Sequence, residues 1–186
     1  QAIMVSTTNS LKINVVTIPE DGLNLVFSEG GKWFDACFNE DEKPDFSLNK
    51  LDVNCHIIKT SGTVFIKGKF SATININCSR CLEEAKLPLD ANFDYTLIPE
   101  KPQVKEDLEL KKEELEISYY HGDFIYLTPI ICEQIILQVP IKVLCHPECK
   151  GLCPQCGTNL NDSSCDCTSG NVDSRMAALK NFKINN

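Results

Sequence analysis

From Val64 to Ile76 one parity of the chain is apolar. Val64, Ile66, Phe70, Ala72, Ile74 and Ile76 alternate with Lys67, Lys69, Ser71, Thr73, Asn75 and Asn77. A period of two over this length predicts a half-buried strand, bent or bulged at Gly68. Alternation resumes after CSRCLEEAK, with Leu87, Leu89, Ala91, Phe93, Tyr95 and Leu97 on one side and Asp90, Asn92, Asp94 and Thr96 on the other. Two such strands joined by a short polar segment predict an antiparallel pair with one wet face. Cys78 and Cys81 fall in that connection.

Weaker patterns flank this pair. LKINVVTI, residues 11–18, is β-branched and stopped by Pro19, which predicts a first strand. Residues 35–47 are charged and broken by proline, as a loop is. Val53, Cys55 and Ile57 alternate in a short strand ended by the turn residues Thr60, Ser61 and Gly62. Residues 99–116 are dominated by charge and predict a solvated excursion. The stretch from Tyr119 to Phe124 predicts a turn between two short strands, with His121 as a turn residue.

Thr128 and Pro129 then predict a helix cap and first helical position, followed by the apolar helix IICEQIILQ with Cys132 as a core thiol. Pro140 stops that helix. Ile141, Val143 and Cys145 predict a last short strand, and Asp173 can cap a terminal helix over SRMAALKNF.

Composition narrows the class. The chain has 186 residues, 26 acidic against 18 basic, for a net charge of −8. That balance disfavours coating nucleic acid by phosphate neutralisation and favours protein partners. No run approaches the ~18 apolar residues of a membrane span, and the first residues lack the positive start and apolar run of a secretory signal. A cytoplasmic chain with no membrane and no DNA partner is expected. In that compartment clustered cysteines bind metal or act catalytically more often than they pair.

Eleven cysteines are present, six of them in CHPECKGLCPQCGTNLNDSSCDC, residues 145–167. Catalytic signatures are missing: there is no G-x-S-x-G, no phosphate-binding glycine loop and no H-E-x-x-H. Thioredoxin-like chemistry wants Cys-x-x-Cys at a helix N-terminus, whereas Cys78 and Cys81 lie between strands. Metal ligation fits better. Cys153 and Cys156 bracket two residues and are followed by Gly157, the form of a zinc knuckle, and Cys165 and Cys167 can complete a tetrahedral four-thiolate site.

Cys78, Cys81, Cys145 and Cys149 form a second candidate site, in which His146 can replace Cys145. Two alternatives stand beside it. Cys78 and Cys81 can be unligated, or Cys145 and Cys149 can group with Cys153 and Cys156, leaving Cys165 and Cys167 free. One or two zinc ions are therefore expected, in closed structural sites; iron–sulfur ligation uses similar ligands. Cys37 and Cys55 read as plain buried thiols.

These elements predict an α+β fold: mainly antiparallel β-sheet or a partly open barrel, with one buried helix, a C-terminal zinc knuckle and a short C-terminal helix. Residues 1–144 make a β-rich core domain, and residues 145–186 make a cysteine-rich, zinc-binding segment and helix packed on it. A local RNA-binding face would draw on Lys67, Lys69, Lys150, Arg175, Lys180 and Lys183.

CSRCLEEAKLPLD, the passage ending in VPIKVLC, CKGLCPQCGTNLNDSSCDC and DSRMAALKNF, in that order, resemble the YceD family of large ribosomal RNA subunit accumulation proteins. The resemblance runs from about Val64 to Phe182, with the N-terminal third agreeing only in general pattern. Cys78, Arg80 and Cys81 match one family signature; Cys145, Cys149, Cys153, Cys156, Cys165 and Cys167 match the other. The resemblance implies a non-enzymatic bacterial factor, in the cytoplasm, needed for large-subunit ribosomal RNA to accumulate. The acidic charge favours a ribosomal protein or an assembly intermediate as partner, with direct ribosomal RNA contact ranked second. The competing classes are a thiol-redox or metal-handling protein and a generic zinc-stabilised interaction domain.

Overall fold

The computed structural model describes residues 3–4, 11–100 and 117–167. Among these residues, eight strands and two α-helices follow in chain order: β1 (Ile3–Met4), β2 (Lys12–Asn14), β3 (Leu23–Gly30), α1 (Gly31–Asp35), β4 (Phe46–Thr60), β5 (Thr63–Asn77), β6 (Glu84–Pro99), β7 (Ile117–Tyr120), β8 (Phe124–Tyr126) and α2 (Leu127–Gln138). Six strands make one sheet in the order β1-β3-β4-β5-β6-β7, and β2 pairs with β8 in a second. The pairs from β3 to β6 are antiparallel, and the two outer pairs, β1 with β3 and β6 with β7, are parallel. Both sheets are open, not a barrel: β1 and β7 end the large sheet and do not pair with each other.

The two long alternating runs become β5 and β6, and their apolar parity is the buried one. Val64, Ile66, Phe70, Ala72 and Ile74 are buried in β5, as are Leu89, Phe93 and Leu97 in β6. Gly68 is not a bulge; it pairs in register with Cys55 and Phe93. A Cβ there would lie 2.6 Å from Phe93 Cζ and 2.8 Å from Cys55 Cβ, so glycine is required by the ring lying over it.

The bulge is instead in β4, between Leu48 and Lys50. It switches the buried parity from Leu48 to Leu51, Val53, Cys55 and Ile57, so a 15-residue strand reads in sequence as a short one. Ser61 (φ 51°) and Gly62 (φ 89°) close the β4–β5 hairpin with two positive φ angles, the tight turn that favours strand twist.

Several expectations are corrected. The predicted first strand is β-structure only at Lys12–Asn14. Val15–Thr17 turn into a 3₁₀-helix started by Asn14, whose side chain accepts from the Val16 N–H at 2.9 Å. β3 is a strand that no expectation covered, although Leu25 and Phe27 alternate into the core. Of the loop expected over 35–47, residues 36–45 are irregular apart from a 3₁₀ turn at Glu40–Glu42, while Asp35 ends α1 and Phe46 and Ser47 begin β4.

β7 and β8 are the two short strands expected around Gly122, but they serve different sheets. Thr128 does not cap α2. The helix begins at Leu127, and the Thr128 hydroxyl accepts from the Leu11 N–H at 3.2 Å. Residues 141–145 form no strand. Ile141 is fully exposed, and Val143 is held by a single-residue exchange with Ser79.

The core lies between the large sheet, the small sheet and α2. From α2 come Leu127, Ile130, Ile131, Cys132 and Ile135; from the α1 region comes Phe34, packed on Phe38 and Phe46. Burying branched aliphatic side chains at roughly 1.5–3 kcal/mol each is what holds these layers together. Cys132 is buried as expected, and its sulfur lies against that of the half-buried Cys37, 95 residues away in sequence. Cys55 does stay a plain buried thiol. The charged excursion beyond Glu100 and the terminal helix lie outside the described residues. No helix among the described residues is long and apolar enough to cross a membrane.

Candidate metal centres

The β5–β6 connection does more than reverse the chain. In Cys78-Ser79-Arg80-Cys81-Leu82 the Leu82 N–H donates to the Cys78 carbonyl at 3.0 Å, and the Cys78 N–H donates to the Glu83 carbonyl at 2.8 Å. Leu82 sits at φ 62°. In Cys153-Pro154-Gln155-Cys156-Gly157 the Gly157 N–H donates to the Cys153 carbonyl at 2.9 Å, and the Cys153 N–H donates to the Thr158 carbonyl at 2.8 Å. Gly157 sits at φ 75°. The two loops are the same knuckle, built once at a hairpin tip and once in the C-terminal segment. The leucine hides this from the sequence, because only Gly157 advertises the positive φ.

Each knuckle gathers two further sulfurs. Cys78, Cys81, Cys145 and Cys149 have all four Sγ atoms within 4.8 Å of one another, and so do Cys153, Cys156, Cys165 and Cys167. The grouping of Cys145 and Cys149 with Cys153 and Cys156 is not what the fold makes, and His146 lies exposed outside the first cluster. In that cluster Cys78 Sγ is 3.7 Å from Cys149 Sγ, and Cys81 Sγ is 3.5 Å from Cys145 Sγ. A tetrahedron of sulfurs ~2.3 Å from a central ion has edges of about 3.8 Å. Both distances match such edges and exceed the ~2.05 Å of a disulfide bond.

Around the sulfurs backbone and side-chain N–H groups act as a donor shell. The Arg80 N–H donates to Cys78 Sγ at 3.5 Å, and the Asn161 amide donates to Cys149 Sγ at 3.4 Å. Burial pushes the Cys78 thiol up, but the N–H groups of Cys81, Arg80 and Cys145 outweigh it and bring it down to about 6. Cys145 is pushed up to about 12 by desolvation and by the neighbouring thiols.

The second cluster divides similarly. The Thr158 hydroxyl and N–H lower Cys156 to about 6, while the Cys156 thiol and burial push Cys167 up to about 12. Four sulfurs this close resist ionising together, and a divalent cation is the group that reconciles four thiolates. The donor set therefore fits a soft tetrahedral ion: thiolates only, four per cluster, with no position left for substrate.

Arg80 explains its place in the first loop. Its guanidinium donates to the Cys149 carbonyl at 2.7 Å, and its own carbonyl accepts from the Leu152 N–H at 3.1 Å. Gly151 (φ 79°) lets the chain pass, since a Cβ there would lie 3.1 Å from the Arg80 carbonyl oxygen. Asn159 joins the clusters' supports, donating to Glu83 Oε1 and Asp162 Oδ2, each at 2.8 Å. The residues missed in sequence were these asparagines, whose only signal is their density in TNLND.

Of the candidate RNA-facing residues, Lys67, Lys69 and Lys150 fall among the described residues. Lys67 and Lys69 are exposed on the wet face of β5, where Lys67 pairs with Asp94 at 3.8 Å and Lys69 lies between Asn54 and Asn92. Lys150 is exposed beside the first cluster, its N–H donating to Asn161 Oδ1 at 2.7 Å. Arg175, Lys180 and Lys183 lie outside the described residues.

The comparisons converge on one family. The family model described as "Large ribosomal RNA subunit accumulation protein YceD" matches residues 66–183. The chain is 24% identical over 155 residues to the chloroplastic YCED homolog 1 of Arabidopsis thaliana, covering 72% of this chain and 48% of that protein. To the Zea mays homolog 1 it is 28% identical over 144 residues, covering 64% and 49%. An uncharacterised Bacillus subtilis protein, YlbN, is 27% identical over 132 residues, covering 66% and 72%. The chain spans about half the length of the plant relatives it matches. No solved structure matches it. The matched residues take in both knuckles and all eight clustered cysteines, and the chain belongs to the YceD family of large ribosomal RNA subunit accumulation proteins.

Proposed function

We propose that this chain is a non-enzymatic ribosome-biogenesis factor, a β-scaffold stiffened by two zinc ions that binds a ribosomal protein or an assembly intermediate of the large subunit. The observation that carries the reading is the use made of the family's cysteines. They form two closed four-sulfur clusters, one fastening the β5–β6 tip to Cys145 and Cys149 and the other cross-linking residues 153–167 to themselves, with no open ligand position for catalysis. Zinc would be held by Cys78, Cys81, Cys145 and Cys149 in one centre and by Cys153, Cys156, Cys165 and Cys167 in the other. Its contribution there is cross-linking.

The net charge of −8 suits a basic ribosomal protein better than bare RNA. The mixed charges around Lys67 support the same order of partners. The alternative, thiol-redox or metal-handling chemistry, is less well supported: the Cys78–Cys81 loop is a hairpin tip, not the helix N-terminus that activates a redox thiol.

The test is depletion of the protein in its own cells. Large-subunit ribosomal RNA is expected to fall relative to small-subunit RNA and to recover when the wild-type chain is supplied. An unchanged ratio would sink the proposal. Purified protein holding two equivalents of zinc, with thiols that resist alkylation, would in turn remove the redox alternative.

A further inference from the structure

All four tyrosines of the chain meet in one place. Tyr95 from β6, Tyr119 and Tyr120 from β7 and Tyr126 from β8 line a groove of about 310 Å³ where the edge of the large sheet faces the small sheet and the start of α2. Tyr119 is 54% exposed and Tyr126 47%, so these rings are not consumed by the core.

One carboxylate faces in. Glu133 of α2 accepts from the Tyr95 hydroxyl at 3.1 Å, and Tyr95 accepts in turn from Ser118 at 3.1 Å, which holds the acid in place. The groove's other acid is indirect: Glu100 meets His121 at its rim. Among the described residues lining it there is no lysine or arginine.

The chain itself shows what such a wall attracts. Lys12 Nζ lies 3.8 Å from the centroid of Phe124, which also lines the groove, and 5.8 Å from that of Tyr126. A cation over an aromatic face is drawn by the ring quadrupole, and a nearby carboxylate adds to the attraction. Lys12 does not itself line the groove, but it is held by two rings of β8 that do. Elsewhere in the lining, Tyr119 and Tyr95 offer rings of the same kind, here with the Glu133 carboxylate beside them.

We infer that this groove docks a lysine- or arginine-bearing segment of a basic partner protein, one cationic side chain entering between Tyr119 and Glu133. The inference rests on the scaffold reading above and supplies its contact surface. Rigid tyrosines beside an acid are suited to hold arginine with little loss of side-chain freedom. Single-stranded RNA could stack on the same rings, but its phosphates would meet Glu133 and a chain of net charge −8.

The test titrates the full chain, zinc-loaded, with a twelve-residue arginine-containing peptide, reading side-chain NMR shifts and affinity. A peptide with glutamine at the arginine positions and an oligouridylate serve as comparisons. Shifts are expected at Tyr119 and Glu133, with affinity falling about tenfold in Tyr119→Ala and again in Glu133→Gln. Asp41→Asn removes an exposed acid elsewhere and should change affinity less than about twofold. Equal losses in Asp41→Asn, no arginine dependence, or oligouridylate shifting Tyr119 in place of the peptide would each overturn the inference. A chain that still captures its ribosomal protein in the Tyr119→Ala, Glu133→Gln double variant would overturn the groove and leave the scaffold reading standing. If depletion leaves ribosomal RNA unchanged, the scaffold reading fails instead.

Discussion

The side-chain amide of Asn161 donates to Cys149 Sγ at 3.4 Å, although Asn161 belongs to the loop between Cys156 and Cys165. Its oxygen accepts from the Lys150 N–H at 2.7 Å, next to the same sulfur. The loop of the second centre thus supplies part of the donor shell of the first. Groups of this kind tune metal affinity by about 10- to 100-fold. Asn161→Ala is expected to weaken zinc retention by Cys78, Cys81, Cys145 and Cys149 by that order while sparing the second centre. Competition with a chromogenic chelator would resolve the two equivalents, and equal loss from both would contradict the assignment.

Zinc removal should unfasten rather than unfold. The large sheet has its own apolar core, whereas the buried hydrophobic side chains of residues 141–167 are Val143, Cys149 and Cys153. Chelation is expected to expose residues 141–167 to protease while the β3–β6 sheet persists by circular dichroism. Because ligands bind as thiolates, protons compete with the metal, so zinc loss should grow as pH falls. Retention that is flat from neutral to mildly acidic pH would count against thiolate ligation.

Gly68→Ala places a methyl group 2.6 Å from the Phe93 ring and 2.8 Å from Cys55. Both neighbours are buried, so neither can swing aside freely. Overpacking of this kind costs about 1–3 kcal/mol. A urea midpoint unchanged from the wild type would mean that the ring does not lie where the structure has it.

Leu82 is the contrasting position. It holds φ 62° and is 65% exposed, so it neither suits its backbone nor fills the core. Leu82→Gly should stabilise the zinc-loaded chain by about 1 kcal/mol through relief of the left-handed penalty. Thermal unfolding of the two proteins gives the sign directly.

Burial raises the Cys55 thiol from 9.0 to about 11. Below pH 9 the thiol is neutral in both folded and unfolded chains, and no stability is at stake. Between about 9 and 11 the unfolded chain ionises and the folded one does not, so stability falls as pH rises through that window. Comparing alkaline urea midpoints of the wild type and Cys55→Ala should show the wild type losing more.

The local elements were readable because their causes are local. A period of two from Val64 to Ile76, and again from Leu87 to Leu97, can bury one face only as a strand pair. Cys-x-x-Cys spacing brings two sulfurs to one point wherever the loop sits. Reading failed where a distant contact chose the outcome. The bulge between Leu48 and Lys50 flips the parity of β4 against β5, so the pattern broke where the strand continued. Thr128 looked like a cap, but Leu11, 117 residues away, takes its hydroxyl. Closure into a barrel was open to the pattern, and only the placement of β1 and β7 at opposite, unpaired edges of the sheet decides against it.

For the site, eight cysteines in the right types and spacings could be paired off in more than one way. Only the tertiary fold brings Cys78 and Cys81 to Cys145 and Cys149, because ligand grouping depends on where chain segments 64 or more residues apart meet. Short-range periodicity and spacing carry information across a few residues. Register, edge and ligand partnership are settled by packing across the whole chain.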